Sequence, residues 1–170
     1  LWEERFATHT YSVAVTIAGL RQAARLAELL GRDEEAKNWR LAASQISDSM
    51  KILFNPDQGA YRKSVFLLPD GSLEFNNTID SSSAYGMWFF DETRFGSDAL
   101  KQSIRTTEER LFNITPSGGA VRYEHDSYFL KRTQFIGNPW IICTLWLAQY
   151  YAKVGNVDGC TALLDWTKSH

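Results

Sequence analysis

The sequence predicts an all-α protein of about six helices in antiparallel hairpins, with one short surface β-hairpin. Apolar residues recur at a helical period in several long segments. Short clusters of Gly, Pro, Asn and Asp separate these segments. A strand-like pattern is confined to one region near the middle of the chain. The 170 residues are enough for one domain with a sizeable core, and six helices are half of a toroid of twelve.

The first two helices are predicted from their periods and their ends. Thr10 to Gly31 carries an apolar residue about every 3.6 positions, and Gly31 suits the left-handed position after a helix. Asp33 is the predicted N-cap of a second helix, which runs from Glu34 to about Leu53. Together these segments predict the first helical hairpin.

The middle of the chain changes period and then returns to helix. Residues 60–68 and 72–75 flank Pro69-Asp70-Gly71, which predicts a hairpin turn because Pro restricts φ and Gly accepts a positive φ. Asp80 then lies near the start of an apolar helix, Ala84 to Phe90. Ser97 is the predicted cap of a further helix that ends near Phe112.

Two helices are predicted near the end of the chain. Asn138 as N-cap and Pro139 at the first helical position are a strong start signal. The helix from Pro139 to Val154 is apolar nearly all round, so we expect it to be well buried. Asp158 is the predicted cap of the last helix, which runs to about Thr167.

Composition argues against several classes of function. The net charge is −2 and no Lys/Arg-rich run is present, so we expect no nucleic-acid partner. No apolar run approaches about 18 residues, so we expect no membrane span. Three His and two Cys without ligand spacing argue against a metal, and no cofactor motif is present. Cys143 and Cys160 are predicted to be free buried thiols, which favours a cytoplasmic location.

High aromatic content, 14% of residues, favours a carbohydrate site, because aromatic faces suit sugar rings.

Glu3 and Glu4 precede the first helix. A carboxyl kept protonated by burial and a neighbouring charge can donate a proton to a leaving oxygen. The alternative is a pair of solvated acids at a helix N-terminus. Trp2 and Trp140 are either platforms for sugar rings or core residues.

A second polar segment follows a Gly-rich loop. Arg122 offers a planar fork of donors and Asp126 accepts from hydroxyls, so the pair matches the vicinal hydroxyls of a sugar. A structural salt bridge is the alternative. His125 lies between them and titrates near neutral pH when unperturbed, although a loop histidine is commonly only solvated.

Three blocks resemble glycoside hydrolase family 15, the glucoamylase family, which also holds glucodextranases and some trehalases. They are Leu-Trp-Glu-Glu-Arg at 1–5, Arg-Tyr-Glu-His-Asp at 122–126, and Gly-Asn-Pro-Trp-Ile-Ile-Cys-Thr-Leu-Trp-Leu-Ala at 137–148. The resemblance implies an (α/α)6 barrel that hydrolyses α-glucosidic bonds from the non-reducing end with inversion. The chain departs from the family pattern at His125 and in a longer segment, Leu130 to Ile136.

The resemblance also implies roles for single residues. Glu3 is the implied general acid, and the implied substrate-binding residues are Trp2, Glu4, Arg122, Asp126 and Trp140. Inversion needs a second carboxylate as base, and the resemblance implies a Glu in a loop beyond His170.

We therefore expect residues 1–170 to be the C-terminal half of an (α/α)6 catalytic domain, truncated at both ends. An α-glucan or oligosaccharide is the expected substrate. The fragment alone is expected to be inactive and to self-associate through apolar surface. Two alternatives stay open: a non-catalytic carbohydrate-binding or regulatory (α/α)6 domain, and a toroid enzyme acting on another sugar, with trehalase the nearest.

Overall fold

A computed structural model describes residue 2, residues 4–91 and residues 94–170. The helices within these ranges are α1 (Thr10–Leu29), α2 (Asp33–Ser49), α3 (Ser81–Phe90), α4 (Asp98–Leu111), α5 (Ile141–Lys153) and α6 (Val157–Ser169), with a 3-10 turn at Met50–Leu53. The strands are β1 (Thr8–His9), β2 (Phe54–Asn55), β3 (Ala60–Tyr61), β4 (Ser64–Leu67) and β5 (Leu73–Asn76). The predicted all-α architecture with a small hairpin is confirmed.

The helices form three hairpins in two rows. Each even-numbered helix packs on the odd-numbered helix before it, and α3 packs on both α1 and α5. The odd helices therefore form one row that the even helices cover from one side. This is the arrangement expected for part of a toroid of helix pairs.

The core lies between the two rows and beneath the small strands. Its buried side chains include Ile17, Met50, Met87, Leu100 and Trp146. Each such side chain contributes about 1.5–3 kcal/mol through burial.

Helices α1 and α3 approach closely at Gly86. A Cβ at Gly86 would lie 3.1 Å from the Cα of Tyr11. A side chain at this position would therefore require the backbone of α1 to shift by a few tenths of an ångström.

The predicted hairpin is confirmed between β4 and β5, and it gains a strand. Residues 60–61, predicted as part of its first strand, form β3, which pairs with β2 in a separate two-stranded sheet. β4 pairs with β5 in register from Ser64↔Asn76 to Leu67↔Leu73. β1 adds to the other edge of β4, with Thr8 opposite Val65, so the sheet order is β1-β4-β5. β1 was not predicted, because two residues are too few to show an alternating pattern.

The predicted cap Ser97 is correct, and Asp80, which the sequence placed only near the start of a helix, is a cap as well. The side chain of Asp80 accepts from the backbone N–H of Ser82, and that of Ser97 accepts from Leu100. Gly31 has φ of +68° after α1, as predicted. These features depend on neighbouring residues alone.

Four predicted helix starts are wrong. Helix α3 begins at Ser81, three residues before the predicted Ala84. Asp33 is the first residue of α2, after Arg32. Asn156, not Asp158, caps α6 by accepting from Gly159 N–H at 3.0 Å. The fourth wrong start, at α5, is caused by contacts with distant parts of the chain.

Helix α5 begins at Ile141 after Trp140, not at Pro139. Pro139 is instead paired with Val121 in a β-bridge, and Trp140 N–H donates to the carbonyl oxygen of Ala120 at 2.8 Å. These bonds keep 139–140 extended, while the side chain of Asn138 donates to the carbonyl oxygen of Tyr128.

Helix α5 is also less buried than predicted. Ile141 and Ile142 are 46% and 44% exposed, whereas Cys143 and Trp146 are buried. The exposed apolar side chains show why hydrophobicity alone did not predict burial. None of the described helices is long and apolar enough to cross a membrane.

The starts of α1, α3 and α5 are hydrogen-bonded to the loops beside them. Thr10 N–H donates to the carbonyl oxygen of Lys63, and Ser81 N–H donates to that of Arg122 at 2.8 Å. The start of α5 is held through Trp140, as described above. The N-terminal ends of α1, α3 and α5 therefore share one side of the molecule.

Candidate active site

A group of polar and aromatic side chains gathers at these N-terminal ends, and we call it the helix-start cluster. Its members come from the segment before α1, the start of the β4–β5 hairpin, the start of α3 and the loop before α5. They are Trp2, Glu4, Lys63, Asp80, Arg122, Tyr123, Asp126, Tyr128 and Trp140. Every described residue to which the sequence assigned a role is present. Glu3 lies outside the described residues.

Arg122 is the centre of the cluster and is 5% exposed. Its Nε and Nη2 donate to the two carboxylate oxygens of Asp126 at 2.7 and 2.6 Å. The hydrogen bonding of Arg122 to Asp126 is the main cause that raises the pKa of Arg122. The ion pair is bidentate, so its two hydrogen bonds fix the plane of the guanidinium as well as its position.

Asp126 is fully buried, and both of its oxygens are used. Besides the bonds from Arg122, Oδ1 accepts from the backbone N–H of Tyr128 at 3.0 Å. The structural salt bridge between Arg122 and Asp126, which was the alternative to a sugar-binding pair, is therefore present. A direct contact of Asp126 with a sugar hydroxyl stays a prediction.

An unusual backbone conformation brings Asp126 back onto Arg122. His125 has φ of +62°, a left-handed value that is uncommon for residues other than Gly. The chain reverses there, while the side chain of His125 points to solvent and is exposed. His125 therefore shapes the turn.

Aromatic rings surround the guanidinium of Arg122. Its Cζ lies 4.7 Å from the ring centroid of Trp140, 5.1 Å from that of Trp2, and 5.0 and 5.2 Å from those of Tyr128 and Tyr123. Contacts of a cation with aromatic faces at these distances are favourable. Arg122 thus contacts both Trp2 and Trp140 and keeps these two tryptophans close together.

Glu4 faces two cations and a phenol. Its Oε1 accepts from the hydroxyl of Tyr123 at 2.6 Å and lies 3.4 Å from Nη2 of Arg122. Its Oε2 lies 3.5 Å from Nζ of Lys63. The side chain is 36% exposed, so part of the carboxylate is open to solvent.

Tyr123 remains a hydrogen-bond donor at neutral pH. Burial is the first cause that raises the pKa of its phenol, and the hydrogen bond to Glu4 raises it further. The backbone of Tyr123 pairs with Asp80 in a β-bridge. The phenol is therefore set in place by the main chain.

A small cavity elsewhere is unsuited to a sugar. It lies between α3, α4 and α5, is lined mainly by apolar side chains such as Trp88, Ile104 and Trp146, and has a volume of about 30 Å³. That volume suits one or two water molecules. The helix-start cluster, which is partly open to solvent, is the better candidate for a carbohydrate.

The sequence profile of Glycosyl hydrolases family 15 matches residues 1–168. This chain belongs to glycosyl hydrolase family 15. The match confirms the resemblance that three short blocks of sequence indicated. It includes both ends of the helix-start cluster, from Trp2 to Trp140.

Other proteins resemble this family 15 chain over most of its length. An uncharacterized glycosyl hydrolase of Methanocaldococcus jannaschii is 31% identical over 160 residues, which are 92% of this chain and 23% of the relative. The chain thus spans about a quarter of that relative's length.

Two solved structures share the fold. A bacterial glucoamylase complexed with acarbose matches with a TM-score of 0.68 and 19% identity, over 88% of this chain and 26% of its own. A glucoamylase from Saccharomycopsis fibuligera matches with a TM-score of 0.61 and 21% identity, over 88% of this chain and 33% of its own. Both have (α/α)6 barrels, so this family 15 chain forms part of one.

Four members of the cluster had no predicted role in the site. Tyr123 lies inside the 122–126 block, and the sequence placed Asp80 only near the start of a helix. Tyr128 follows Asp126 closely in the sequence, and this closeness could have identified it as a member of the site. Lys63 had no local signal, because its position depends on how the hairpin packs beside α1.

The remaining reactive groups lie outside the cluster or beneath it. Both cysteines are free; Cys143 is buried as predicted, whereas Cys160 is only half-buried. Burial raises the pKa of the Cys143 thiol, and the charge of Asp80 adds to this. Within the described ranges, no group of three or more His, Cys, Asp or Glu residues could hold a metal ion.

Proposed function

We propose that this chain is the C-terminal half of the catalytic domain of a glucoamylase-like glycosidase. The reaction is hydrolysis of an α-glucosidic bond at the non-reducing end of an oligosaccharide or α-glucan, with inversion. The observation that carries the proposal is the convergence of Trp2, Glu4 and Arg122 at the starts of the odd helices. Trp2 and Glu4 precede and follow Glu3, the proposed acid, in the chain.

Glu3 acts in this proposal as the general acid that protonates the leaving glycosidic oxygen. Proton donation by a positioned carboxyl contributes about 10²–10⁴-fold to such a reaction. The substrate is bound by the residues on either side of Glu3 in the chain. The assignment of Glu3 as the acid rests on its carboxyl group and on its place in the family motif.

Glu4 and Arg122 bind sugar hydroxyls in this proposal. The exposed part of the Glu4 carboxylate accepts from a hydroxyl of the sugar beside the cleaved bond. Within the described residues, the ion pair with Asp126 uses Nε and Nη2 of Arg122, so we assign Nη1 as the donor to substrate. Asp126 keeps the plane of Arg122 fixed.

Trp2 and Trp140 form the apolar walls in this proposal. Both rings contact the Arg122 guanidinium, and both are partly exposed. A sugar ring presents an apolar face that packs on an indole. The two tryptophans therefore favour a pyranose over an extended polar ligand.

The catalytic base is proposed to come from the protein beyond His170. An inverting base must lie about 6.5–9.5 Å from the acid with space for a water. Asp80 and Asp126 are fully buried and bonded within the cluster, so neither presents a free carboxylate to a water. The 170-residue chain alone is accordingly expected to give no turnover.

The test compares the full-length gene product with two variants, Glu3→Gln and the control Glu34→Gln, on maltose, maltotriose, isomaltose and trehalose. Glu34 is an exposed acid in the first turn of α2. We expect the control to match the parent and Glu3→Gln to lose at least about 100-fold in kcat. Proton NMR should detect β-glucose as the first product. Equal activity of the parent and Glu3→Gln would contradict the proposal.

The same experiment separates the alternatives. Cleavage of trehalose in preference to maltose would indicate the trehalase alternative. Acarbose, which the bacterial neighbour was crystallised with, serves as a binding probe by calorimetry. Binding of acarbose without hydrolysis of any of the four sugars would favour a carbohydrate-binding or regulatory domain.

A further inference from the structure

Lys63 occupies a position in the cluster that the proposed reaction does not yet use. It precedes β4, and its side chain is 11% exposed. Its Nζ lies 3.5 Å from Oε2 of Glu4 and 3.4 Å from Oδ2 of Asp80. A nearly buried ammonium between two carboxylates is a specific arrangement, because burial of an unpaired Lys is costly.

Asp80 connects this ammonium to Trp2. The same atom, Oδ2 of Asp80, accepts the indole N–H of Trp2 at 3.0 Å. The other oxygen accepts from the backbone N–H and the hydroxyl of Ser82 at 2.7 and 2.6 Å. Asp80 is therefore fixed to the start of α3 and fixes the indole in turn.

The backbone of Lys63 is also held on both sides. Its N–H donates to the carbonyl oxygen of Asn76 in the hairpin at 2.9 Å, and its carbonyl oxygen accepts from Thr10 at the start of α1. The Nζ lies 3.2 Å from the ring centroid of Tyr123, the residue that donates to Glu4. Lys63 thus joins the hairpin to three residues of the cluster.

We propose that Lys63 is a positioning residue that anchors both chain neighbours of Glu3, Glu4 directly and Trp2 through Asp80. This inference rests on the proposed glycosidase function for its kinetic consequence. Because a small misplacement of a reacting group costs about 100-fold in rate, loss of the anchor lowers kcat more than it raises KM. The methylene groups of Lys63 alone do not provide this anchor, since the contacts with Glu4 and Asp80 are both made by the ammonium.

The test uses the full-length protein with Lys63→Met, Lys63→Arg and Lys63→Ala, and Lys101→Met as the control. Lys101 is 62% exposed and pairs with Asp98 on α4. We expect Lys63→Met to lower kcat by about 10- to 100-fold, Lys63→Arg to recover part of it, and Lys101→Met to match the parent. Circular dichroism checks that each variant is folded.

Chemical rescue separates charge from packing. Propylammonium replaces the atoms that Lys63→Ala removes, and 1-propanol is its neutral counterpart at the same concentration and ionic strength. We expect saturable recovery of kcat with propylammonium alone. Equal recovery with both compounds would show that Lys63 only fills space, and would overturn the proposal.

A second readout does not depend on activity. The protein is labelled with 5-fluorotryptophan, and the Trp2 resonance is assigned with Trp2→Phe. We expect Lys63→Met to shift or broaden that fluorine resonance and Lys101→Met to leave it unchanged. An unmoved Trp2 resonance together with unchanged kcat contradicts the anchoring role and leaves the proposed function intact.

The reverse failure is also distinguishable. If the parent protein hydrolyses none of the tested sugars, the proposed function is wrong. The Trp2 resonance then decides the anchoring role by itself: a shift in Lys63→Met supports it, and no shift overturns it.

Discussion

The hydroxyl of Tyr123 donates a 2.6 Å hydrogen bond to Oε1 of Glu4, and 119 positions of sequence separate the two residues. The bond joins the segment before α1 to the loop that leads into α5. It is short because the acceptor is a carboxylate. One contact therefore closes the cluster between the first and the third helical hairpin.

Removal of this phenol should change the alkaline stability of the full-length protein. The pKa of Tyr123 is raised in the folded state, whereas an unfolded Tyr has a pKa of about 10. Above about pH 10 the unfolded state therefore loses the proton first, and the free energy of unfolding falls as pH rises. Below that pH both states are protonated and the residue contributes no slope.

We expect Tyr123→Phe to be less stable than the parent at pH 7, and the difference to narrow between about pH 10 and 12. Urea unfolding at a series of pH values measures this. The control is Tyr128→Phe, whose ring faces the same guanidinium. A difference between parent and Tyr123→Phe that stays constant up to pH 12 would contradict the assignment.

Arg122 should be essential for stability as well as for binding. Arg122→Met leaves the carboxylate of Asp126 buried without its ion pair, and breaking such a pair costs about 3–5 kcal/mol. Urea unfolding of the full-length protein should show this loss at pH 7. The double variant Arg122→Met/Asp126→Leu should recover part of it, because the buried charge is then removed.

Arg32→Met is the matched control for this prediction. Arg32 pairs with Glu35 on the exposed surface of α2, so its loss should leave the unfolding midpoint unchanged within error. Equal effects of Arg32→Met and Arg122→Met would show that burial does not strengthen the Arg122–Asp126 pair.

The two thiols should differ in reactivity. Burial raises the pKa of the Cys143 thiol and keeps reagents out, whereas Cys160 is partly exposed. Brief treatment with iodoacetamide at pH 7.5, followed by peptide mapping, should label Cys160 and leave Cys143 unmodified. Both should react after unfolding in guanidinium. Labelling of Cys143 in the native protein would show that the core between α3 and α5 opens readily.

The 170-residue chain by itself should self-associate. The row of odd helices carries exposed apolar side chains, including Phe89 at 46% and Ile142 at 44% exposure. Uncovered apolar area favours association. Light scattering at micromolar concentration should therefore give a mass above 19.4 kDa, and Phe89→Ser should lower it. A stable monomer of the parent chain would contradict this prediction.

Local patterns predicted much of the fold correctly. The extent of α1, the Pro69-Asp70-Gly71 turn and the cap Ser97 depend on residues within a few positions of each other. The start of α5 was predicted wrongly because Pro139 is paired with Val121. The residues next to Pro139 in the sequence do not indicate this contact. The same limit applies to β1, which exists only because β4 is beside it.

The sequence by itself determined the helical periods, the family motifs and the residue types that suit a sugar. Arg122 and Asp126 also follow from local spacing, since the turn at His125 brings residues four apart together. Only the tertiary structure decided that Lys63 and Tyr123 face Glu4 and that Asp80 holds Trp2. The physical reason is that these contacts join separate elements, so they depend on how α1, α3 and the hairpin pack and not on any pattern within one segment.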